Sequence, residues 1–154
     1  MPASFFWSPF ETVINTYADL VAAIEGVLAK AKNEGRQYAW RGQVNSGWAL
    51  HSSLYRRLSL TVGSNPVETA LSEKEQEILA RLHRWGLHNV PGRGRLSVLN
   101  QTAMLQHFGA PTRLIDISFN AWVGVFFATE EKWSNAVLSN ETDDARLFAI
   151  DVTD

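Results

Sequence analysis

The chain has 154 residues, 45% hydrophobic and 19% charged, with a formal net charge of -2. That length is enough for one domain with a substantial core, and the near-neutral balance makes no bulk demand for nucleic acid or a membrane surface. The absence of cysteine excludes disulfides, thiolate catalysis and cysteine-ligated zinc. No stretch reaches the roughly 18 apolar residues of a membrane span, and residues 1 to 10 lack the basic and apolar regions of a leader. The expectation is a soluble, cytoplasmic protein with no membrane partner.

In chain order, residues 5 to 14 are aromatic and β-compatible, a short strand or an arm. Thr16 with Asp19 forms a capping box that opens an amphipathic helix to about Lys32, with Leu20, Ile24, Val27 and Leu28 at helical spacing. Asn33-Glu34-Gly35 stops it. Residues 37 to 42 predict a short strand, residues 44 to 47 a turn, and 48 to 50 a second short strand. Ser52 or Ser53 starts a short helix, and residues 59 to 71 read as a flexible loop. Ser72 with Glu75 predicts a helix to about Leu87. Residues 91 to 95 are a basic, glycine-rich loop, and 97 to 107 a further helix with Gly109 as its C-terminal signal. Residues 112 to 118 alternate polar and apolar and predict a strand. Asn120 is the N-cap of a helix over 121 to 128 that is apolar nearly all round and so expected to be buried. Residues 130 to 145 are an acidic, solvated loop, and 146 to 152 a strand.

The polar residues Arg113, Asp116, Ser118 and Asn120 stand inside the most apolar part of the chain, where an unpaired charge is very costly. Either they satisfy one another or they line a site. Arg41 ends its strand, where a guanidinium fork holds a phosphate or carboxylate bidentately. Gly42 beside it either admits a ligand close to the backbone or is a plain turn glycine. Asp116 is expected to pair with Arg41 or Arg113. His107 is either a catalytic group or a favourable charge at a helix C-terminus. Four histidines without metal-binding spacing give no metal site. Ser118 has no general base nearby in sequence, and a hydrolase using His107 and Asp116 is a third alternative.

Tyr38-Ala39-Trp40-Arg41-Gly42-Gln43, then Gly47-Trp48-x-Leu50, Ser53-Leu54 and Arg56, form a first block. Leu105-Gln106-His107-x-Gly109-x-Pro111-Thr112-Arg113-Leu114-x-Asp116, with Asn120 and Phe126-Phe127-Ala128, form a second. Together they resemble the FRG domain family, named for its aromatic-Arg-Gly motif. The resemblance covers residues 37 to 130, leaving an arm and helix before it (1 to 36) and an acidic loop and strand after it (131 to 154). Trp40 supplies the aromatic residue, and Ile117-Ser118 replaces the family's frequent Trp-Thr.

The order of elements is also distantly similar to ADP-ribosyltransferases. That similarity implies an α+β fold: a single domain with two small, mostly antiparallel sheets and four to five helices. It implies NAD as substrate, with Arg41 on a phosphate and Ser118 near the nicotinamide ribose. Gly42, Gln43, Arg113, Asp116 and Asn120 would complete the cofactor site. The late-strand glutamate of those enzymes has no counterpart, since Glu130 and Glu131 come too early and Glu141 sits in a loop. The implied setting is a bacterial toxin or phage defence, with a nucleic acid or protein acceptor. The alternative is a non-enzymatic module that binds a nucleotide, nucleic acid or partner protein. The chain stops directly after its last strand, so that strand's edge is expected to be capped by the N-terminal arm, a second copy or a partner, or the chain to be truncated.

Overall fold

The computed structural model describes residues 7–90, 92, 94–131, 133–134, 137–138 and 144–154. The chain forms two compact units. The first takes residues 1–49 and 116–154, the second residues 50–115.

In the first unit, helix α1 runs over Tyr17–Glu34. Its start is fixed by a reciprocal pair: the Asp19 N–H donates to the Thr16 hydroxyl at 3.1 Å, and the Thr16 N–H donates to the Asp19 carboxylate at 3.0 Å. Gly35 closes it in the left-handed region, φ 64°. Strand β1, Tyr38–Gln43, follows. The last strand of the chain, Arg146–Asp151, lies antiparallel beside it, in a register running from Tyr38↔Asp151 to Gln43↔Arg146. The first unit also contains a short helix, Ala121–Ala128, capped by Asn120, whose side-chain oxygen accepts from the Trp122 N–H at 3.0 Å. Trp40 is buried against Ile24 and Ala121, with Leu20, Val27, Val125 and Leu147 packed around them. Burial of that cluster is the main stabilising term available to this sheet, since two strands alone are marginal in water.

Among its described residues the second unit has three helices. Helix α2, Ser53–Val62, starts at a Ser52 hydroxyl that accepts from the Tyr55 N–H. Helix α3 spans Glu68–Arg84. A small hairpin of β2, Asn89–Val90, and β3, Gly94–Arg95, precedes α4, Val98–His107, which is capped by Ser97. The short helix Ala121–Ala128 of the first unit is therefore α5, and the final strand follows a hairpin of β4, Trp133–Ser134, and β5, Val137–Leu138, as β6. Five helices and three two-stranded antiparallel sheets among the described residues make the architecture α+β. Among those residues no helix is long and apolar enough to cross a membrane.

Several expectations are corrected. Residues 112–118 form no strand; Ser118 alone bridges to Trp40, with hydrogen bonds of 2.6 and 2.9 Å. Residues 48–50 form no strand either. Helix α3 begins four residues before Ser72, because Val67 opens it with extended backbone and no side-chain cap; the expected loop shrinks to 63–67. Residues 91 and 93 lie outside the described residues, but the segment around them belongs to the β2–β3 hairpin. Helix α5 is buried along only one face, at Ala121, Gly124 and Ala128, while Trp122, Val123, Phe126 and Phe127 are exposed. Among its described residues the N-terminal segment adds no strand. It makes a 3-10 turn over Ser8–Phe10 with Pro9, which has no N–H to give a ladder, and it reaches β6 through side chains. Phe5 and Phe6, and Glu141 and Asp143 of the acidic stretch, lie outside the described residues.

Candidate functional site

Alternation along β1 divides its side chains between two faces. Trp40 and Gly42 face α5. A Cβ on Gly42 would collide with the carbonyl of Gly124 and the main-chain nitrogen of Ala128. The glycine is thus needed for the helix to lie on the strand, and the space on that side is filled by backbone. Arg41 and Gln43 belong to the opposite face, which they share with their cross-strand partners Phe148 and Arg146. The Arg41 Nη1 donates to the main-chain carbonyl of Asp116 at 2.7 Å. The expectation is a charge pair with the Asp116 side chain; this bond runs to the Asp116 main-chain carbonyl. Gln43 is only 6% exposed, and its Nε2 donates to the Ala49 carbonyl at 3.4 Å.

Asp116 and Asn120 are exposed and Ser118 half-buried, so the polar residues between Arg113 and Asn120 carry no large desolvation penalty. The bridge to Trp40 puts the Ser118 side chain on the Trp40 side of the strand, opposite Arg41. Its hydroxyl accepts from the Asn120 N–H at 3.1 Å and so prepares the start of α5.

The other two candidates belong to the second unit. His107 is exposed at the end of α4, its ring edge-on to Phe108 at 5.5 Å. Gly109, φ 80°, follows it in the left-handed region. The Gly109 N–H donates to the Gln106 carbonyl and the Ala110 N–H to the Leu105 carbonyl, the bonding of a Schellman motif. Arg113 spends its fork on two carboxylates of α3, Glu68 at 2.6 Å and Glu75 at 3.1 Å. The Glu68 hydrogen bond, outweighing a smaller desolvation effect, pushes the Arg113 pKa up. Between them Thr112 is buried. Its N–H donates to the Ser53 hydroxyl at 3.0 Å, and its carbonyl accepts from the Leu54 N–H at 3.0 Å. Ser53-Leu54 and Pro111-Thr112 are therefore pinned to one another. Among the described residues no three His, Asp or Glu side chains come together as a metal site.

Both sequence blocks thus have a structural reason: Trp40-Arg41-Gly42 seats a helix on a strand, and the residues from Gln106 to Thr112 close a helix onto Ser53. Comparison with known families matches the FRG domain to residues 36–136. The chain belongs to the FRG domain family. No curated protein and no solved structure matches it. The FRG match ends before β6, so Arg146 and Phe148, which share the Arg41 face, lie outside it. Neither residue stood out in the sequence. The alternation of 146–152 marked a strand, but its partner and register were needed to set Phe148 opposite Arg41.

Proposed function

We propose that this FRG domain binds NAD and acts as an ADP-ribosyltransferase-like domain of a bacterial toxin or phage-defence type. The observation that carries the reading is the anchoring of Arg41. Its Nη1 is held on a neutral main-chain carbonyl, on a sheet face where a second arginine, Arg146, stands beside the residue opposite it. A guanidinium positioned in this way favours an anion that presents two oxygens to its fork, such as a phosphate. Titration calorimetry with NAD tests it. Arg41→Ala should weaken binding by about 1.5–3 kcal/mol, and Arg41→Lys should restore it only in part, since an ammonium lacks the fork. The absence of binding by NAD or any adenine nucleotide would defeat the proposal.

One observation favours a second reading, a non-enzymatic FRG module that binds a partner protein. Helix α5 and the residues before it expose Phe119, Trp122, Phe126 and Phe127, with Phe126 62% exposed. Contiguous exposed aromatics of this kind mark interaction surfaces.

A further inference from the structure

Oε1 of Gln43 and Nη1 of Arg146 are buried polar atoms on the Arg41 face of the sheet that have no hydrogen-bond partner among the described residues. Buried polar groups are ordinarily satisfied, so each orphan calls for an explanation. These two are complementary, an acceptor and a donor. Their residues are directly paired across β1 and β6, so both side chains leave the same face about 5 Å apart. The Gln43 amide is oriented by the bond from its Nε2 to the Ala49 carbonyl, since the flipped amide would set oxygen against oxygen.

Beside them lies Phe148, with the Arg146 guanidinium 6.0 Å from its ring centre. Two groups from the N-terminal segment cover this pair. The Trp7 ring stands edge-on to Phe148 at 5.2 Å, and the Glu11 carboxylate accepts from the Arg146 Nη2 at 2.7 Å. The chain thus lays an aromatic ring and a planar oxygen acceptor on Phe148 and Arg146, yet leaves Gln43 Oε1 without a donor.

We propose that Gln43, Arg146 and Phe148 form a subsite for an aromatic ring bearing a primary carboxamide, which Trp7 and Glu11 cover in the free protein. The carboxamide oxygen accepts from Arg146, its NH2 donates to Gln43 Oε1, and the ring replaces Trp7 on Phe148. A carboxylate in the same place would satisfy Arg146 but set a negative oxygen against Gln43, so the subsite selects amide over acid. The assignment rests on the NAD reading in taking the ring to be nicotinamide.

The test is titration of the full chain with nicotinamide and with nicotinate, followed by calorimetry and by the Trp7 indole N–H resonance. Nicotinamide should bind about tenfold more tightly than nicotinate and shift the Trp7 signal. Glu11→Gln, an exposed change that loosens the cover, should tighten nicotinamide severalfold. Gln43→Leu should abolish the preference for the amide. Equal affinities, an unmoved Trp7 signal, insensitivity to Glu11→Gln, or no nicotinamide binding at millimolar concentration would each overturn the subsite. NAD binding that depends on Arg41 but ignores Gln43 and Glu11 would overturn the subsite alone. Discrimination between amide and acid without NAD binding would overturn the NAD reading and keep the subsite.

Discussion

A methyl group on Gly42 would meet rigid backbone, the Gly124 carbonyl and the Ala128 nitrogen, so strand and helix would have to separate. Gly124, on the helix side, is different. Its Cβ would meet a flexible Leu147 methyl at 2.8 Å and the Trp40 Cβ at 3.2 Å, and alanine gains about 1 kcal/mol over glycine in a helix interior. The two substitutions should therefore separate in thermal melts. Gly42→Ala should destabilise by about 2–3 kcal/mol, lowering Tm by roughly 5–10 °C, while Gly124→Ala stays within about 1 kcal/mol of the wild type. Equal effects would refute the view that backbone contact explains the motif's glycine. This distinction was not legible in the sequence. Gly42 admitted a ligand or a turn equally well there, and only α5 lying on β1 shows what fills the space.

Elements fixed by local chemistry were legible, and those fixed at a distance were not. Thr16 with Asp19, Ser52, Ser97 and Asn120 each cap a helix where the sequence places one, because a hydroxyl or amide oxygen needs only N–H groups two or three residues ahead. Ser72 with Glu75 fits the same pattern and misleads, since α3 is already under way from Glu68. The alternation of 112–118 misleads for another reason: Thr112 and Ser118 are polar for separate local bonds, the Thr112 hydroxyl with Gln106 and the Leu114 N–H and the Ser118 hydroxyl with the Asn120 N–H, and among the described residues no strand pairs with the residues between. The pairing of β1 with β6 joins residues more than a hundred positions apart and leaves no local trace. Its far end is tied by Asp151, which accepts from the Thr153 hydroxyl at 2.6 Å, the Thr153 N–H at 3.0 Å and Arg36 Nη1 at 2.5 Å. The Thr153 hydroxyl first, then its N–H and Arg36, hold the Asp151 carboxyl down to about 2. A carboxyl depressed on folding stabilises above its unfolded pKa, roughly 4, and that contribution is lost as pH falls towards 2. Urea unfolding at a series of pH values should show this loss between roughly pH 4 and 2 in the wild type. Asp151→Asn should flatten it and lower stability at neutral pH.

Across the whole molecule, the least legible feature was how little of α5 is covered. An apolar run of eight residues reads as buried on every side, yet small residues, Ala121, Gly124 and Ala128, form its packed face and the large aromatics stand outside. Phe126→Ser with Phe127→Ser should leave thermal stability within about 1 kcal/mol while reducing self-association by light scattering and dye binding to exposed apolar surface. Loss of cooperative unfolding in that variant would show that these side chains support the core instead. The order of the chain has a further consequence, for biosynthesis. The second unit is continuous, residues 50–115, with Ser53 and Thr112 pinned near its ends, whereas the first waits for β6 before β1 has its strand partner. Chains emerge from the ribosome at about 5–20 residues per second, so the sheet that carries Arg41 stays unpaired for several seconds after the strand Tyr38–Gln43 has been made. During that interval the aromatic core around Trp40 is held open to water, and a ribosome stalled so that the chain has left its tunnel to a point between residues 116 and 145 should display a protease-resistant second unit joined to cleavable flanks.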